Sequence, residues 1–280
     1  MGSSMNAPEI VKDTGTEEVL CAVRDRVAII TLNNPAAKNS MSDAMAPALR
    51  KLYQECGEDP AIGAVIITGA GGMFSAGGNI KGMGQNNPAR QARPIEDKIA
   101  ELQDKQKKTT GAIVAMRKPT IAAIPGFAIG AGLAVALACD IRIAAQSAYV
   151  MTGYLGIALS GDYGIAWLLT RAVGNAHARE MLLLPQKVDA KRCEAIGLFN
   201  RVVPDDKLQE EAFVMARTMA NGPAIAMRYI KDNLDDAVTC DFDTALKHEA
   251  ERLNYSATSA DHREAVQAFM EKRKPVFTGK

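Results

Sequence analysis

The sequence predicts an α/β protein, and three observations support this fold class. Short β-branched runs alternate with helical patterns up to about residue 200, and the chain after that point is helical. Two glycine-rich turns lie about fifty residues apart, and each follows an apolar run. Alternation of this kind is typical of a core built from strand–helix units.

Five apolar or β-branched runs predict the strands of that core. In chain order they cover residues 27–32, 64–68, 121–124, 141–144 and 199–203. Continuous apolar runs of this length are typical of strands that are buried on both faces of a sheet.

Six segments carry helical patterns: residues 42–55, 95–116, 131–138, 163–173, 205–220 and 242–272. Pro47 falls inside the first segment and should kink it, because proline lacks the backbone N–H. In the last segment Leu246, Ala250 and Leu253 recur at helical spacing between charged residues. That stripe must be buried, either against the chain's own core or against a neighbouring subunit.

The two turns read FSAGGNI over residues 74–80 and GFAIGAG over residues 126–132. Two such turns could aim backbone N–H groups at one point, which stabilises negative charge on a carbonyl oxygen. Tight packing of a helix on a strand is the alternative explanation for either turn alone.

Three segments carry a resemblance to a known family. Residues 33–40 read NNPAAKNS, residues 73–83 read MFSAGGNIKGM and residues 125–142 read PGFAIGAGLAVALACDIR. In this order and spacing the chain resembles the enoyl-CoA hydratase/isomerase (crotonase) superfamily over about residues 20–275. The resemblance implies a crotonase-like spiral of β-β-α units over residues 19–203, after an N-terminal tail at 1–18. It also implies a C-terminal helical trimerisation region at 204–280, and hence a homotrimer or hexamer.

The resemblance assigns roles to backbone and coenzyme A-binding positions. It implies that the N–H groups of Gly78 and Ala131 form an oxyanion hole for a thioester carbonyl. Ala131 stands where the family more usually has glycine, and it opens a predicted helix whose dipole would favour the oxyanion. The positions that match the segments contacting coenzyme A are Ala36, Ala37, Lys38, Ala76, Ile80 and Lys81.

The acid/base groups differ from those of the best-known hydratases. The two positions that carry glutamates in those enzymes are Ala134 and Tyr154 here. Asp162 lies where some superfamily members, dienoyl-CoA isomerases among them, carry a functional aspartate, so we predict that it is the general base. Asp162 could instead cap the following helix. Tyr154 could hydrogen-bond the substrate or simply line its pocket.

These residues predict an acyl-CoA-processing enzyme that stabilises a thioester enolate, most readily an enoyl-CoA hydratase. One alternative is a double-bond isomerase that uses Asp162 as its single base. An alternative of another class is a protein of this fold that binds acyl-CoA without turnover, because both glutamates are absent.

Composition indicates which classes of partner, and which cellular compartment, to expect. The chain has 33 basic and 32 acidic residues, so no global field would recruit nucleic acid or a membrane. Five cysteines without a C-x-x-C pair are typical of reduced thiols, and no signal peptide or apolar run of membrane-spanning length is apparent. We therefore expect a cytoplasmic protein.

The histidine pattern bears on metals and cofactors. His177, His248 and His262 lack the spacing of common metal sites and lie in polar helical contexts. We expect no metal and no covalently bound cofactor, with coenzyme A entering as part of the substrate.

Overall fold

The computed structural model describes residues 9–79 and 92–280 of the chain. Within these ranges the strands are β1 (Ile10–Lys12), β2 (Val19–Arg24), β3 (Val27–Leu32), β4 (Ala64–Gly69), β5 (Thr120–Ile124), β6 (Phe127–Ile129), β7 (Ile141–Ala145), β8 (Tyr149–Met151), β9 (Val188–Asp189) and β10 (Arg201–Val203). The α-helices are α1 (Met45–Glu58), α2 (Ile95–Lys108), α3 (Thr110–Ala115), α4 (Ala131–Ala138), α5 (Ile165–Leu183), α6 (Ala190–Ala195), α7 (Leu208–Ala220), α8 (Ala224–Asp236), α9 (Phe242–Ala257) and α10 (Ala260–Met270).

The strands form a large sheet and a small one. The large sheet has the order β1-β2-β3-β4-β5-β7-β10. Its first three strands are antiparallel, whereas β3, β4, β5, β7 and β10 run parallel. In the small sheet β8 pairs in parallel with β6 and antiparallel with β9. The predicted α/β class is confirmed, and all five predicted strands lie in the parallel part of the large sheet.

The strands that the sequence did not reveal are short or partly exposed. The segment predicted as an N-terminal tail contains β1, whose Ile10 and Val11 are exposed. Strand β2 has mixed burial, while β6, β8 and β9 have two or three residues each. Strand β2 does carry an apolar run, VLCAV, which the sequence analysis missed, whereas β6, β8 and β9 are too short for a pattern in the chain to identify them.

Helix α1 begins at Met45, three residues later than predicted. The Ser42 hydroxyl accepts hydrogen bonds from the amides of Ala44 and Met45, at 3.2 and 2.9 Å. Pro47 consequently lies in the first helical turn, where its missing N–H would have had no partner within the helix. The kink expected at Pro47 was therefore a wrong expectation.

Other helices also differ from the sequence predictions. Residues 95–116 form two helices, with a non-helical Thr109 between them, and residues 242–272 form α9 and α10. Helix α5 begins at Ile165 and continues past residue 173, with non-helical dihedral angles at Gly174 that mark a kink. Helix α8 was not predicted. The sequence analysis missed its apolar stripe of Met227, Ile230 and Leu234, and none of these side chains is buried in the structure.

Two helices build most of the core around the parallel strands. All eight residues of α4 are buried, and this helix contacts β5, β6, α3 and α5. Helix α7 covers β3, β4, β5 and β7 with a stripe of small or apolar residues, namely Leu208, Ala212, Ala216 and Ala220. Small side chains let both helices approach the sheet closely.

The C-terminal helices leave apolar side chains in solvent. Leu253 is 68% exposed and Phe269 is 82% exposed, and Leu246 and Met270 are also exposed. The homotrimer or hexamer expected from the resemblance stays a prediction. Among the described residues, no helix has the length and apolar character needed to cross a membrane.

Gly126 offers a test of how tightly the segments after the parallel strands are packed. A Cβ atom on Gly126 would lie 2.1 Å from the carbonyl oxygen of Gly72, a backbone atom that cannot rotate away. We expect Gly126→Ala to lower the free energy of unfolding by about 1–3 kcal/mol. Urea denaturation would measure this change.

Gly156→Ala is the matched control for that substitution. Nothing lies within 4 Å of the Cβ position at Gly156, so the change should stay within about 0.5 kcal/mol of the parent protein. Equal stability of the Gly126 and Gly156 variants would show that the contact at Gly126 is loose.

Candidate active site

The two glycine-rich turns meet at one edge of the large sheet. Strands β4 and β5 are parallel neighbours, so the turns that follow them leave from the same edge. The amides of Phe74 and Ser75 donate to the carbonyl oxygen of Phe127, at 3.0 and 3.1 Å, and the amide of Ile129 donates to the carbonyl oxygen of Ser75 at 2.9 Å. These three hydrogen bonds tie the first turn to the second.

Gly77 is the point of closest approach between the turns. A Cβ atom there would lie 2.5 Å from the carbonyl oxygen of Ile129 and 3.0 Å from the amide nitrogen of Ala131. The φ angle of Gly77 is +85°, which also favours glycine. The chain therefore brings the residue after Gly77, which is Gly78, next to the start of α4.

The amides of Gly78 and Ala131 have no protein acceptor among residues 9–79 and 92–280. Ala131 is the first residue of α4, where N–H groups lack partners within the helix. It follows Gly130, whose φ angle is +53°. The sequence reasoning placed both amides at glycine-rich turns, and the structure places the two turns in direct contact.

Asn39 holds the first turn in place, a role that the sequence analysis missed. It is fully buried, and its Nδ2 donates to the carbonyl oxygens of Ala70 and Met73, at 2.9 and 3.1 Å. The Ser75 hydroxyl donates to the carbonyl oxygen of Asn39 at 2.7 Å and accepts from the amide of Gly77 at 3.0 Å. The available signal was the presence of a polar residue in each segment, Asn39 in NNPAAKNS and Ser75 in FSAGGNI.

The predicted coenzyme A positions that the structure describes lie together. Ala36 and Ala37 are in a short 3₁₀ helix, and Lys38 follows it; all three are exposed. The carbonyl oxygen of Lys38 accepts a hydrogen bond from the amide of Ala76 at 2.9 Å. This bond joins the segment at 36–38 to the turn that carries Gly78. Ile80 and Lys81 lie outside the described residues.

Tyr154 and Asp162 form a hydrogen-bonded pair beside the second turn. The phenol of Tyr154 donates to Oδ1 of Asp162 at 2.6 Å. Tyr154 is 8% exposed, and Asp162 is half-buried. A Cβ atom on Gly130 would lie 3.9 Å from Cζ of Tyr154, so the ring is next to the residue that precedes Ala131.

The backbone before α5 explains why Asp162 does not cap that helix. Tyr163 and Gly164 have φ angles of +51° and +74°, so the helix begins only at Ile165. Its N-terminus receives no side-chain hydrogen bond. The capping alternative for Asp162 was therefore wrong, because the carboxylate accepts from the Tyr154 phenol instead.

Burial sets the electrostatics of the pair. Desolvation raises the pKa of Asp162, and the hydrogen bond from Tyr154 opposes that rise. Burial, together with the charge of Asp162, raises the pKa of Tyr154. The pair thus combines a carboxylate more basic than an exposed aspartate with a phenol that keeps its proton.

Neither Ala134, the other position that carries a glutamate in the best-known hydratases, nor any of the three histidines supplies a second acid/base group beside Asp162. Ala134 is fully buried one turn after Ala131 in α4. The three histidines lie on other helices, His177 in α5, His248 in α9 and His262 in α10.

Comparison with known proteins agrees with the fold and with the order of these segments. A sequence model described as enoyl-CoA hydratase/isomerase matches residues 23–280. A "probable enoyl-CoA hydratase" of Mycobacterium bovis is 36% identical over 264 residues, covering 94% of this chain and 99% of the relative. The 1,2-epoxyphenylacetyl-CoA isomerase of Escherichia coli is 33% identical, with the same two coverages.

A solved structure shows the same likeness in three dimensions. The enoyl-CoA hydratase from Polaromonas sp. JS666 superposes with a TM-score of 0.86 at 29% identity, covering 93% of this chain and 99% of that one. The resemblance read from the three glycine- and asparagine-containing segments is confirmed. The chain belongs to the enoyl-CoA hydratase/isomerase (crotonase) family.

Proposed function

We propose that this protein hydrates 2-enoyl-CoA thioesters, with the amides of Gly78 and Ala131 as an oxyanion hole and Asp162 as the general base. The observation that carries the proposal is the hydrogen-bonded pair of Tyr154 and Asp162 beside the amide of Ala131, which has no acceptor in the described part of the chain. An electrophilic site and a basic site are thereby adjacent. The named functions of the relatives support the same substrate class.

The oxyanion hole would act on the thioester carbonyl. Its two amides are fixed by the contact between the turns, so they need no reorganisation when charge develops on the oxygen. The N-terminal end of α4 adds a positive dipole at Ala131. Both contributions favour the enolate over the ground-state thioester.

Asp162 would move one proton in each half of the reaction. Its carboxylate accepts a proton from water while the water oxygen bonds to the β-carbon and the double-bond electrons move onto the carbonyl oxygen. The enolate then returns those electrons, and the α-carbon takes the proton back from Asp162. Tyr154 occupies Oδ1, whereas Oδ2 accepts no hydrogen bond from the part of the chain that is described.

Isomerisation is the second candidate, and the single carboxylate favours it. A base that removes a proton from the γ-carbon and returns it to the α-carbon needs no partner to hold a water molecule. The isomerase relative from Escherichia coli is about as similar as the hydratase relatives. The same oxyanion hole would stabilise the dienolate intermediate.

Coenzyme A would be held by the segment at Ala36, Ala37 and Lys38 and by Ala76, with Ile80 and Lys81 as further contacts. The hydrogen bond between Lys38 and Ala76 supports this part of the proposal, because it fixes the segment beside the oxyanion turn. The Lys38 side chain is exposed and would attract phosphate groups without bidentate geometry.

Asp162→Asn tests the base directly. The amide oxygen can still accept from Tyr154, so the pocket keeps its shape while the proton acceptor is lost. We expect turnover of 2-enoyl-CoA thioesters to fall by about 10²–10⁴-fold. Mass spectrometry in deuterated water would report added water for hydration, or deuterium with a moved double bond for isomerisation.

Asp206→Asn is the matched control for that substitution, because Asp206 is an exposed aspartate of the same charge. Wild-type rates in both variants would remove Asp162 from the chemistry. No change in any thioester of a panel of 2-enoyl and 3-enoyl substrates, with the parent protein, would contradict the enzymatic proposal and favour binding without turnover.

Ala131→Pro tests the second oxyanion donor. Proline removes the amide hydrogen at the first position of a helix, where its ring is best tolerated. We expect turnover to fall by about 10²–10³-fold, whereas Ala131→Gly, which keeps the amide, should retain most activity. Circular dichroism would verify that both variants fold, and equal rates for the two would contradict the assignment.

Asp162 should also reduce stability at neutral pH. Because burial raises its pKa in the folded state, the ionised carboxylate costs stability above the usual aspartate pKa of about 3.9. Asp162→Asn should therefore raise the free energy of unfolding at pH 7. That gain should shrink as the pH falls from the raised pKa of folded Asp162 towards the usual aspartate value, and it should be absent at lower pH. Urea titrations at several pH values would measure the difference in free energy of unfolding between the variant and the parent protein. A difference that does not change with pH would contradict this account.

A further inference from the structure

A cluster of three potential metal ligands lies at the connection between α8 and α9, apart from the candidate active site. Asp236, Cys240 and His248 each offer one ligand atom, and these atoms lie within 4.8 Å of one another. Cys240 Sγ is 3.7 Å from Oδ1 of Asp236, and His248 Nδ1 is 2.8 Å from Oδ2. The three side chains thus converge from two helices and the turn between them.

The backbone of the turn fixes two of these residues relative to each other. Asp236 is the last residue of α8, and the amide of Cys240 donates to its carbonyl oxygen at 2.8 Å. Asp241 then begins α9 by accepting a hydrogen bond from the amide of Thr244 at 2.9 Å. Cys240 therefore has a fixed place in the turn between α8 and α9, close to His248 on α9.

The set of donor atoms matches the preferences of zinc. We propose that Asp236, Cys240 and His248 bind one zinc ion, leaving a fourth position for water. Zinc bond lengths place tetrahedral ligand atoms about 3.4–3.6 Å apart. Sγ of Cys240 and Oδ1 of Asp236 are already 3.7 Å apart, and all three ligand atoms lie within 4.8 Å of one another, so the ion would draw together a set that is close to this spacing. On binding, the Cys240 thiol releases its proton to solvent and His248 coordinates through a deprotonated ring nitrogen.

Arg252 orients the carboxylate from the side away from Cys240. Its Nη1 donates to Oδ2 of Asp236 at 2.6 Å and to Oδ1 of Asn233 at 2.8 Å. Oδ1 of Asp236 stays directed at Cys240, so it is the oxygen available to the metal. Outer contacts of this kind hold ligating carboxylates in one orientation.

Exposure makes the cluster accessible. Cys240 is exposed, whereas the other four cysteines, Cys21, Cys56, Cys139 and Cys193, are buried. A metal that needs a thiolate ligand would therefore reach Cys240 first. The sequence gives no sign of this, because the D-x₃-C-x₇-H spacing belongs to none of the common zinc motifs.

The competing explanation is an ion-pair network without a metal. In that case the carboxylate of Asp236 would only form ion pairs with His248 and Arg252, and these pairs would hold α8 against α9. Removing the thiol would then change nothing that a metal titration measures. The proposal does not depend on the reaction assigned above, so its failure would leave the assignment of Asp162 untouched.

Titration of the chelator-treated whole chain with Co²⁺, followed by displacement with Zn²⁺, tests the proposal. We expect one Co²⁺ per chain with a thiolate charge-transfer absorption, and loss of that absorption on adding one equivalent of Zn²⁺. Cys240→Ser should abolish the absorption, and His248→Ala should weaken binding at least tenfold. Zinc should raise the thermal midpoint of the parent protein but not that of Cys240→Ser.

His177→Ala is the matched control, because His177 is also a partly exposed helical histidine next to a carboxylate, that of Glu180. Binding in this variant should equal that of the parent protein. Absence of saturable binding at one ion per chain would overturn the proposal, as would unchanged affinity in both Cys240→Ser and His248→Ala. Circular dichroism of each variant separates lost binding from lost folding.

Discussion

The contact between the two glycine-rich turns is the constraint on which the candidate site depends. A Cβ atom on Gly77 would overlap the backbone of the second turn, and one on Gly126 would overlap the backbone of Gly72, just before the first turn. Parallel pairing of β4 with β5 brings the turns to one edge of the sheet. Because Gly77 and Gly126 have no side chains, the backbones of the two segments can come into contact. Because the turns are locked by backbone contact and by Asn39, the amides of Gly78 and Ala131 keep a fixed relation to each other. Fixed dipoles are what electrostatic stabilisation of a transition state requires.

The pairing of a carboxylate with a phenol gives this site a different electrostatic balance from a pair of carboxylates. Two adjacent carboxylates repel, and one of them takes up a proton. Here Tyr154 is a neutral donor, so Asp162 gains a hydrogen bond without a like charge beside it. Burial remains as the cause that raises the pKa of Asp162, which makes the group both a better base and a cost to stability. Function and stability therefore oppose each other at one residue.

Helix α8 is attached to the core by ion pairs. Helices α8 and α9 contribute no buried residue. Arg117 forms ion pairs with Asp232 and Asp235 of α8, at 2.9 and 2.8 Å, and Lys231 forms one with Asp140 at 2.8 Å. Partly exposed ion pairs of this kind contribute little free energy each, but they fix where α8 lies.

The sequence by itself determined the parallel strands, the two turns and the acidic residue after the second turn, because each follows from a local pattern of apolar, glycine or charged residues. The family resemblance came from the same segments. Only the tertiary structure decided the partner of Asp162, since the left-handed backbone at Tyr163 and Gly164 delays α5 and frees the carboxylate for Tyr154. It also decided that the potential ligand atoms of Cys240 and His248 lie within 4.8 Å of each other. Contacts between side chains on separate elements depend on how those elements pack, which no local pattern in the chain records.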